Sequence, residues 1–205
     1  SEKHGLSFFA IERDQSFQDL ILRQCPNVTL TLMDAAKPTL VDFFQKLSSQ
    51  KQTPIFVVSN LPYSASSQIL AQLCHASQFI AGCIVMVQKE LANRMMASPR
   101  GANRGAFSLL MQTYFTVQSF LTVKPGAFTP PPKVESTVLS LKPNRQPILD
   151  ELKNPFDFEN FCQRLFSQRR KMIRNFIPKE KQNIFVNLGL SGTERPQELN
   201  LETIF

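Results

Sequence analysis

The feature that most constrains the fold is an alternation of short apolar runs and stretches with helical periodicity, which extends from the start of the chain to about residue 143. Apolar runs rich in β-branched and aromatic residues predict strands at residues 7–11, 28–32, 55–59 and 83–87. The intervals between them have helical character, at residues 15–23, 39–47 and 66–75. Strands that alternate with helices predict βαβ units, and therefore a mostly parallel sheet covered on both faces.

The runs at residues 55–59 and 83–87 are continuously apolar, which is typical of parallel strands that are buried on both faces. Farther along, the pattern predicts two helices and then two strands, at residues 89–97, 106–115, 117–123 and 136–141. The last two strands flank a loop, residues 125–133, that carries four of the 14 prolines. The simplest interpretation is a mostly parallel sheet that ends in an antiparallel hairpin.

The character of the sequence changes near residue 145, after a stretch with two prolines. From about Phe156 onward the apolar spacing is helical, with breaks near Pro178 and at residues 189–196, and no stretch there predicts a strand. We therefore predict an α/β domain over residues 1–145 and a small all-helical domain over residues 146–205.

Several classes of protein are disfavoured by composition. No apolar run reaches the roughly 18–20 residues that a membrane-spanning helix needs, and the charged first residues show no signal-peptide pattern. These observations favour a cytoplasmic protein that does not bind membranes. The four cysteines form no CxxC pair and the chain has two histidines, so we predict no metal site and interpret the cysteines as buried, reduced thiols.

Positive charge is concentrated in residues 164–181, which contain seven Lys or Arg and one Glu, within a chain of net charge +7. The apolar residues of this segment recur at spacings that predict a helix. Arg170 and Arg174 lie four residues apart and would repel each other on such a helix. A polyanionic partner would relieve that repulsion, so we interpret the segment as a surface for a phosphate backbone. The alternative is a solvated basic face.

Polar side chains end the predicted strands, which is where ligands bind in an open α/β sheet. The seven glycines form neither GxGxxG nor GxxxxGK[ST], so these 205 residues hold no complete nucleotide fingerprint. Glu12 nevertheless follows the first strand and could accept hydrogen bonds from both hydroxyls of a ribose. Asp34 follows the second and could accept one from an adenine amino group. The alternative for Asp34 is an N-cap of the next helix.

The sharpest motif is Asn60-Leu61-Pro62-Tyr63, directly after the third strand. The exocyclic nitrogen of a nucleobase is a poor nucleophile because its lone pair is delocalised into the ring. An Asn amide oxygen and a carbonyl in a Pro-constrained turn could accept hydrogen bonds from its amino protons and localise that lone pair, while an adjacent aromatic ring stacks on an extruded base. The alternative is a turn that contains a buried tyrosine.

This tetrapeptide resembles motif IV of the ribosomal RNA adenine dimethyltransferases, the KsgA family. Leu61 favours the RNA branch, because related enzymes that act on DNA usually carry Pro at the second position. Other segments resemble the family in the same order along the chain: Val87-Gln88-Lys89-Glu90 with Arg94, the loop from Ala127 to Ser136, the string from Gln168 to Asn175, and the element from Arg195 to Leu199.

The resemblance implies a Rossmann-like, S-adenosylmethionine-dependent methyltransferase domain followed by a helical RNA-binding domain. Enzymes of this family dimethylate the exocyclic amino groups of two adjacent adenosines near the 3′ end of small-subunit (16S) ribosomal RNA, in ribosome biogenesis. The implied partner is small-subunit rRNA within an immature ribosomal subunit. We expect a monomer that needs neither a metal nor a membrane.

The resemblance also implies roles for individual residues. The cofactor would be held by Glu12 at its ribose, Asp34 at its adenine and Asn60 at its methionine part. The expected catalytic set is Asn60, Leu61, Pro62, Tyr63 and Phe128. In that set Tyr63 would stack on the target base and Phe128 would help to close its pocket. The expected RNA-binding set is Arg169, Arg170, Lys171 and Arg174.

Two features depart from the family pattern. The family usually carries an Arg shortly before the Ser that corresponds to Ser108, whereas Arg104 here precedes Gly105, so we assign Arg104 no role. The strand, Gly-rich turn and helix of motif I should come ahead of residue 7, and this sequence does not contain them. We therefore expect the 205 residues to be the ordered or cloned part of a longer chain, and a crystal of them to hold no S-adenosylmethionine.

Two other functions remain open at this point. One is a large-subunit (23S) rRNA adenine dimethyltransferase that confers antibiotic resistance, which shares motif IV and the two-domain plan. The other is a non-catalytic rRNA-binding assembly factor that kept the scaffold. The loop at residues 127–136 and the string at residues 168–175 favour the small-subunit enzyme, and the intact tetrapeptide disfavours a simple binding protein.

Overall fold

The computed structural model describes residues 7–51, 54–144 and 154–200. Six strands lie in these ranges: β1 (Phe8–Glu12), β2 (Val28–Leu32), β3 (Ile55–Asn60), β4 (Ile80–Gln88), β5 (Phe115–Val123) and β6 (Ser136–Pro143). The α-helices are α1 (Gln18–Gln24), α2 (Thr39–Lys51), α3 (Ser66–His75), α4 (Lys89–Met95), α5 (Ala106–Tyr114), α6 (Pro155–Ser167) and α7 (Ile184–Asn187). None of the helices in these ranges is long and apolar enough to cross a bilayer.

The strands form two sheets. β1 and β2 make a parallel pair, and the second sheet has the order β3-β4-β6-β5. Within it β3 is parallel to β4, whereas β6 is antiparallel to both β4 and β5. The predicted parallel arrangement with an antiparallel hairpin at one end is therefore confirmed.

Helices cover one face of the four-stranded sheet. Val85 and Leu139 on that face are fully buried, as are Leu70 of α3 and Leu109 of α5. The same hydrophobic core continues into α6. Side chains of α6 in this core are Phe158, Cys162, Leu165 and Phe166. The C-terminal helix therefore packs on the α/β part through apolar contacts, and the expected domain boundary near residue 145 lies outside the described residues.

The opposite face of the sheet is open, which corrects the expectation that residues 55–59 are buried on both faces. Phe56 is 72% exposed and Val58 is 81% exposed. Their neighbour Ile84, which pairs with Val58, is also exposed. Within the described part of the chain, β1 and β3 are not hydrogen-bonded to each other, and both line one cavity. A continuous apolar run predicts burial on both faces only where neighbouring elements cover both of them.

Helix α6 starts where its sequence predicts. The side chain of Asn154 accepts a hydrogen bond from the backbone N–H of Phe156 at 3.1 Å, and a proline takes the first helical position. Both features are typical of helix N-termini, because the first N–H groups have no partner inside the helix. The side chains of Cys74, Cys83 and Cys162 are buried as expected, but Cys25 is exposed.

The predicted basic helix at residues 164–181 is wrong beyond its first turn. Helix α6 ends at Ser167, and short 3₁₀ turns follow at Ile173–Phe176 and Lys179–Lys181. The backbone N–H of Ile173 donates to the carbonyl of Glu194 at 2.8 Å, and that of Arg174 donates to Gly192 at 3.1 Å. These long-range partners replace the carbonyls four residues back that an α-helix would use. No strand occurs in residues 154–200, as predicted.

A buried hydrogen bond joins α3 to α6. His75 donates from Nε2 to Oε2 of Glu159 at 2.8 Å, and the His75 side chain is fully buried. The His75 ring packs on Phe156, with 4.2 Å between the ring centroids. The hydrogen bond from His75 lowers the pKa of Glu159. The contact therefore stabilises the fold above the ordinary pKa of a Glu, and the stabilisation is lost as pH falls through the lower folded pKa.

We expect Glu159→Gln to lower the free energy of unfolding by about 1 kcal/mol near pH 7, because a charge-assisted hydrogen bond becomes a neutral one. The difference from wild type should be smaller at a pH below the lowered folded pKa of Glu159, where the carboxyl group is protonated in both states. Urea unfolding followed by circular dichroism at both pH values measures this difference in the free energy of unfolding. Exposed Glu180→Gln is the matched control and should change little. A difference that does not depend on pH would contradict the assigned bond.

Candidate active site and nucleic-acid interface

The ends of β1, β2 and β3 open into one cavity of about 1260 Å³. This is larger than the roughly 300–1,000 Å³ of a typical small-molecule site, because it continues into the space between β1 and β3. The predicted site residues in its lining are Glu12, Asp34, Asn60, Leu61, Pro62, Tyr63 and Phe128. The structure therefore brings together every residue of the expected catalytic and cofactor-binding sets.

Glu12 is the last residue of β1, and hydrogen bonds hold both its backbone and its side chain. Its backbone carbonyl accepts a hydrogen bond from Met33 at 2.9 Å, which ties it to the end of β2. Its Oε1 accepts from the backbone N–H groups of Arg13 at 2.7 Å and Asp14 at 2.8 Å. Oε2 bonds to no other described residue, so it can accept from a ligand.

Asp34 lies just beyond β2 and is held in the same manner. Its Oδ1 accepts from the backbone N–H of Ala36 at 2.9 Å, which leaves Oδ2 without a partner among the described residues. Helix α2 begins only at Thr39, so Asp34 is not its N-cap and that alternative is wrong. The two carboxylates lie at neighbouring strand ends, and each has one oxygen that is free to accept a hydrogen bond. They can therefore bind the hydroxyl and amino groups of a nucleoside.

The Asn60–Tyr63 turn is anchored through its backbone. The N–H of Leu61 donates to the carbonyl of Met86 at 3.1 Å, which fixes the turn to β4. The carbonyl of Pro62 accepts from the N–H of Ala65 at 3.0 Å and from Ser66 Oγ at 2.8 Å. The carbonyl of Leu61 accepts no hydrogen bond from any described residue. The second acceptor predicted in this turn is thus the Leu61 carbonyl, since that of Pro62 is already engaged.

Tyr63 is half-buried rather than buried, and it lines the cavity. Its hydroxyl group is 2.6 Å from Oγ of Ser136, the first residue of β6. Sequence reasoning missed this partner, because 73 residues separate the two side chains. The turn therefore holds an aromatic ring beside the open cavity, and the alternative of a turn that contains a buried tyrosine is wrong.

The proline-rich loop between β5 and β6 forms the rim of the cavity. Phe128, Pro130 and Pro132 line it. The loop is attached to the start of α4 by Lys89, whose Nζ lies 2.6 Å from Oε2 of Glu135 and whose N–H donates to the Glu135 carbonyl at 3.0 Å. The hydrogen bond from Lys89 lowers the pKa of Glu135. The rim is thereby held next to the Asn60–Tyr63 turn.

The four predicted RNA-binding side chains are exposed, but they are not equivalent. Arg169 Nη2 donates to the backbone carbonyl of Arg104 at 2.6 Å, so this residue also connects the C-terminal part to the α/β part. Arg170, Lys171 and Arg174 form no ion pair with any carboxylate of the described residues. Their charges face solvent, as either a phosphate contact surface or a solvated basic face requires.

Arg104, to which the sequence assigned no role, is a buried structural residue. It is 1% exposed. Its guanidinium donates to the carbonyl of Ala97 at 3.0 Å, to the side chain of Gln112 and to the carbonyl of Leu199 at 3.4 Å. Burial lowers its pKa. Nothing in the sequence distinguishes this arginine from an exposed one, because its partners lie as far away as Leu199.

Among the described residues no three His, Cys, Asp or Glu side chains are placed to hold a metal ion. Similar structures show the same fold. A dimethyladenosine transferase from Plasmodium falciparum superimposes with a TM-score of 0.70 at 20% identity, over 94% of this chain and 77% of that one. The 23S rRNA methyltransferase ErmE superimposes with a TM-score of 0.58 at 19% identity, over 95% of this chain and 78% of that one. At these identities the likeness shows the Rossmann-like fold of such methyltransferases.

Comparison of sequences, in contrast to comparison of folds, identifies the family of the chain. Ribosomal RNA small subunit methyltransferase A of Neorickettsia sennetsu is 32% identical over 209 residues, which cover 97% of this chain and 76% of the relative. The protein named probable ribosomal RNA small subunit methyltransferase A of Pyrobaculum islandicum is 34% identical over 200 residues, which cover 97% of this chain and 72% of the relative. The family described as ribosomal RNA adenine dimethylase matches residues 6–202. With that match over nearly its whole length, the chain belongs to the ribosomal RNA adenine dimethylase family.

Proposed function

We propose that this protein is the S-adenosylmethionine-dependent enzyme that dimethylates the exocyclic amino groups of two adjacent adenosines near the 3′ end of small-subunit rRNA. The observation that carries the proposal is the single cavity in which Glu12, Asp34 and the Asn60–Tyr63 turn meet. The choice of the small subunit follows the names of the similar sequences from Neorickettsia sennetsu and Pyrobaculum islandicum.

The residues present fit the cofactor. Oε2 of Glu12 accepts from the ribose hydroxyl groups and Oδ2 of Asp34 from the adenine amino group, while the second oxygen of each carboxylate stays on its local turn. Asn60 contacts the methionine part. When bound, S-adenosylmethionine supplies an electrophilic methyl group on a sulfonium sulfur, which leaves as a neutral thioether when the adenosine nitrogen attacks.

The chain activates the adenosine nitrogen by accepting hydrogen bonds from its N–H groups, and the proton that the nitrogen loses on methylation passes to solvent. Oδ1 of Asn60 and the carbonyl of Leu61 receive hydrogen bonds from the amino group, so its lone pair localises on nitrogen as the new bond to carbon forms. Pro62 keeps the Leu61 carbonyl in place through the two hydrogen bonds that its own carbonyl accepts. Tyr63 stacks on the extruded base, and Phe128 closes the pocket from the rim.

The space between β1 and β3 supports a further part of the proposal. Two strand edges that face a common cavity, together with exposed Phe56 and Val58, are suited to an additional parallel strand with a helix over it. We assign this place to a strand and Gly-rich turn of the methyltransferase domain, a unit that is not found among the described residues. Its backbone N–H groups would complete the site at the methionine end of the cofactor.

RNA binding is assigned to the helical domain over residues 146–205. Arg170, Lys171 and Arg174 contact the phosphate backbone of rRNA within an immature ribosomal subunit, because their charges have no carboxylate partner in the described chain. The enzyme acts as a monomer in the cytoplasm, where ribosomes are assembled.

We expect Asn60→Ala to abolish methyl transfer to immature small subunits while RNA affinity stays nearly unchanged, because the acceptor is lost and the basic surface is kept. Transfer of a labelled methyl group by the complete polypeptide measures the first quantity, and filter binding the second. Exposed Asn93→Ala is the matched control and should retain activity. A fully active Asn60→Ala enzyme would contradict the assigned role.

The same assay separates the competing functions. A wild-type enzyme that methylates naked large-subunit rRNA but not immature small subunits would support the antibiotic-resistance activity. A wild-type protein that binds rRNA tightly and transfers no methyl group to either substrate would support the assembly factor.

We expect Arg170→Ala to lower the slope of log affinity against log salt by about one, because one phosphate contact disappears. Arg169→Ala should in addition lower the free energy of unfolding by about 1 kcal/mol, since it loses the hydrogen bond to the Arg104 carbonyl. Binding titrations at several salt concentrations and urea unfolding distinguish the two variants. An unchanged slope in Arg170→Ala would leave a solvated basic face as the better description.

A further inference from the structure

The hydrogen bond between Tyr63 and Ser136 links two parts of the site that are distant in sequence. The hydroxyl of Tyr63 lies 2.6 Å from Oγ of Ser136. Ser136 is 0% exposed, whereas Tyr63 is half-buried and lines the cavity. One partner is therefore fixed in the protein interior, and the other borders the space that the target base would enter.

Ser136 is held from three sides. In the sheet it pairs with Gln88 of β4 and with Val123 of β5. The preceding residue, Glu135, is bound by both the backbone and the side chain of Lys89. A serine in such a place has little freedom to follow the movement of a partner, so the hydrogen bond constrains Tyr63 and not the reverse.

A tyrosine side chain has two rotatable bonds before its ring, and the hydroxyl group lies at the far end of that ring. Fixing the hydroxyl group together with the anchored backbone of the turn therefore fixes the direction of the long axis of the ring, and with it the place that the ring occupies. Without the bond, the ring of a half-buried residue at the edge of a large cavity could turn into the open space. If the place of the ring varies, the position of a base stacked on it varies too, and transfer rates depend strongly on such placement.

We propose that Ser136 is a positioning residue, which holds the Tyr63 ring in place beside the cavity and thereby sets the position of the target adenine relative to Asn60. This inference rests on the proposed function. Ser136 touches neither the base nor the cofactor in this role, and it acts through Tyr63 alone. Its removal should therefore reduce the rate of methyl transfer and leave the binding of RNA to the basic surface intact.

The test compares Ser136→Ala, Tyr63→Phe and the double variant of the complete polypeptide in single-turnover methyl transfer to immature small subunits. Each single variant should be slower by about three- to tenfold, the effect of one neutral hydrogen bond. The double variant should be no slower than the slower single variant, because both changes remove the same bond. Ser140→Ala, on the same strand, is the control and should have the wild-type rate.

Tyrosine emission gives a readout that does not depend on activity. These 205 residues contain two tyrosines and no tryptophan, so in the 205-residue chain with Tyr114→Phe the sole tyrosine emitter is Tyr63. Ser136→Ala in that background should lower the anisotropy of Tyr63, and should lower the quenching caused by a hairpin RNA with two adjacent adenosines. The affinity for that hairpin should stay unchanged, which separates positioning from binding.

A Ser136→Ala variant with wild-type rate and wild-type anisotropy would overturn the proposal, as would additive effects in the double variant. If the wild-type enzyme methylates neither rRNA, the proposed function fails, yet the anisotropy still decides whether Ser136 fixes the ring. If Ser136→Ala does not fold, Tyr63→Phe removes the same bond from the other partner and the rate comparison stands on that variant.

Discussion

The arrangement of the site depends on the pairing of β4 with a parallel strand on one side and an antiparallel strand on the other. Because β3 runs parallel to β4 and β6 runs against it, the end of β3 and the start of β6 meet at the same edge of the sheet. Asn60 pairs with Met86, and Ser136 pairs with Gln88 two residues farther along β4. A shift of either register by one residue would turn these side chains to the opposite face. The fully buried side chains of Val85 and Val87 oppose such a shift.

Much of the fold could be predicted from local patterns. The bounds of β2 and α3 agree with the sequence prediction, because β-branched residues in one and a turn-bounded apolar periodicity in the other are signals contained within a few neighbouring residues. The grouping of Glu12, Asp34 and Asn60 could also be predicted, since the carboxyl ends of parallel strands meet at one edge. The exact hydrogen-bond partners of these residues could be identified only from the structure. The same is true of the carbonyl in the turn that is free to accept a hydrogen bond, which is that of Leu61 and not that of Pro62.

The failures share one cause, which is the distance along the chain between interacting groups. Residues 168–176 have a helical pattern, but the N–H groups of Ile173 and Arg174 donate to the distant carbonyls of Glu194 and Gly192. Arg104 resembles any surface arginine until its contact with Leu199 is known. The apolar side chains of β3 predict burial on both faces, but burial is a property of neighbours that the run itself does not specify. Periodicity records which side of an element is apolar, and it carries no information on what covers that side.

The open edge of β3 has a consequence for handling the 205-residue chain by itself. On that side its N–H and C=O groups pair with no strand of the described residues. Together with the apolar side chains of Phe56 and Val58, and with no charged residue from Ile55 to Asn60, they form a template onto which a strand of another molecule can add. Edge-to-edge association of that kind grows with concentration and ends in aggregates rather than in a closed oligomer. This strand edge therefore lowers the solubility of the chain by itself, and a charged side chain introduced there would act as a gatekeeper.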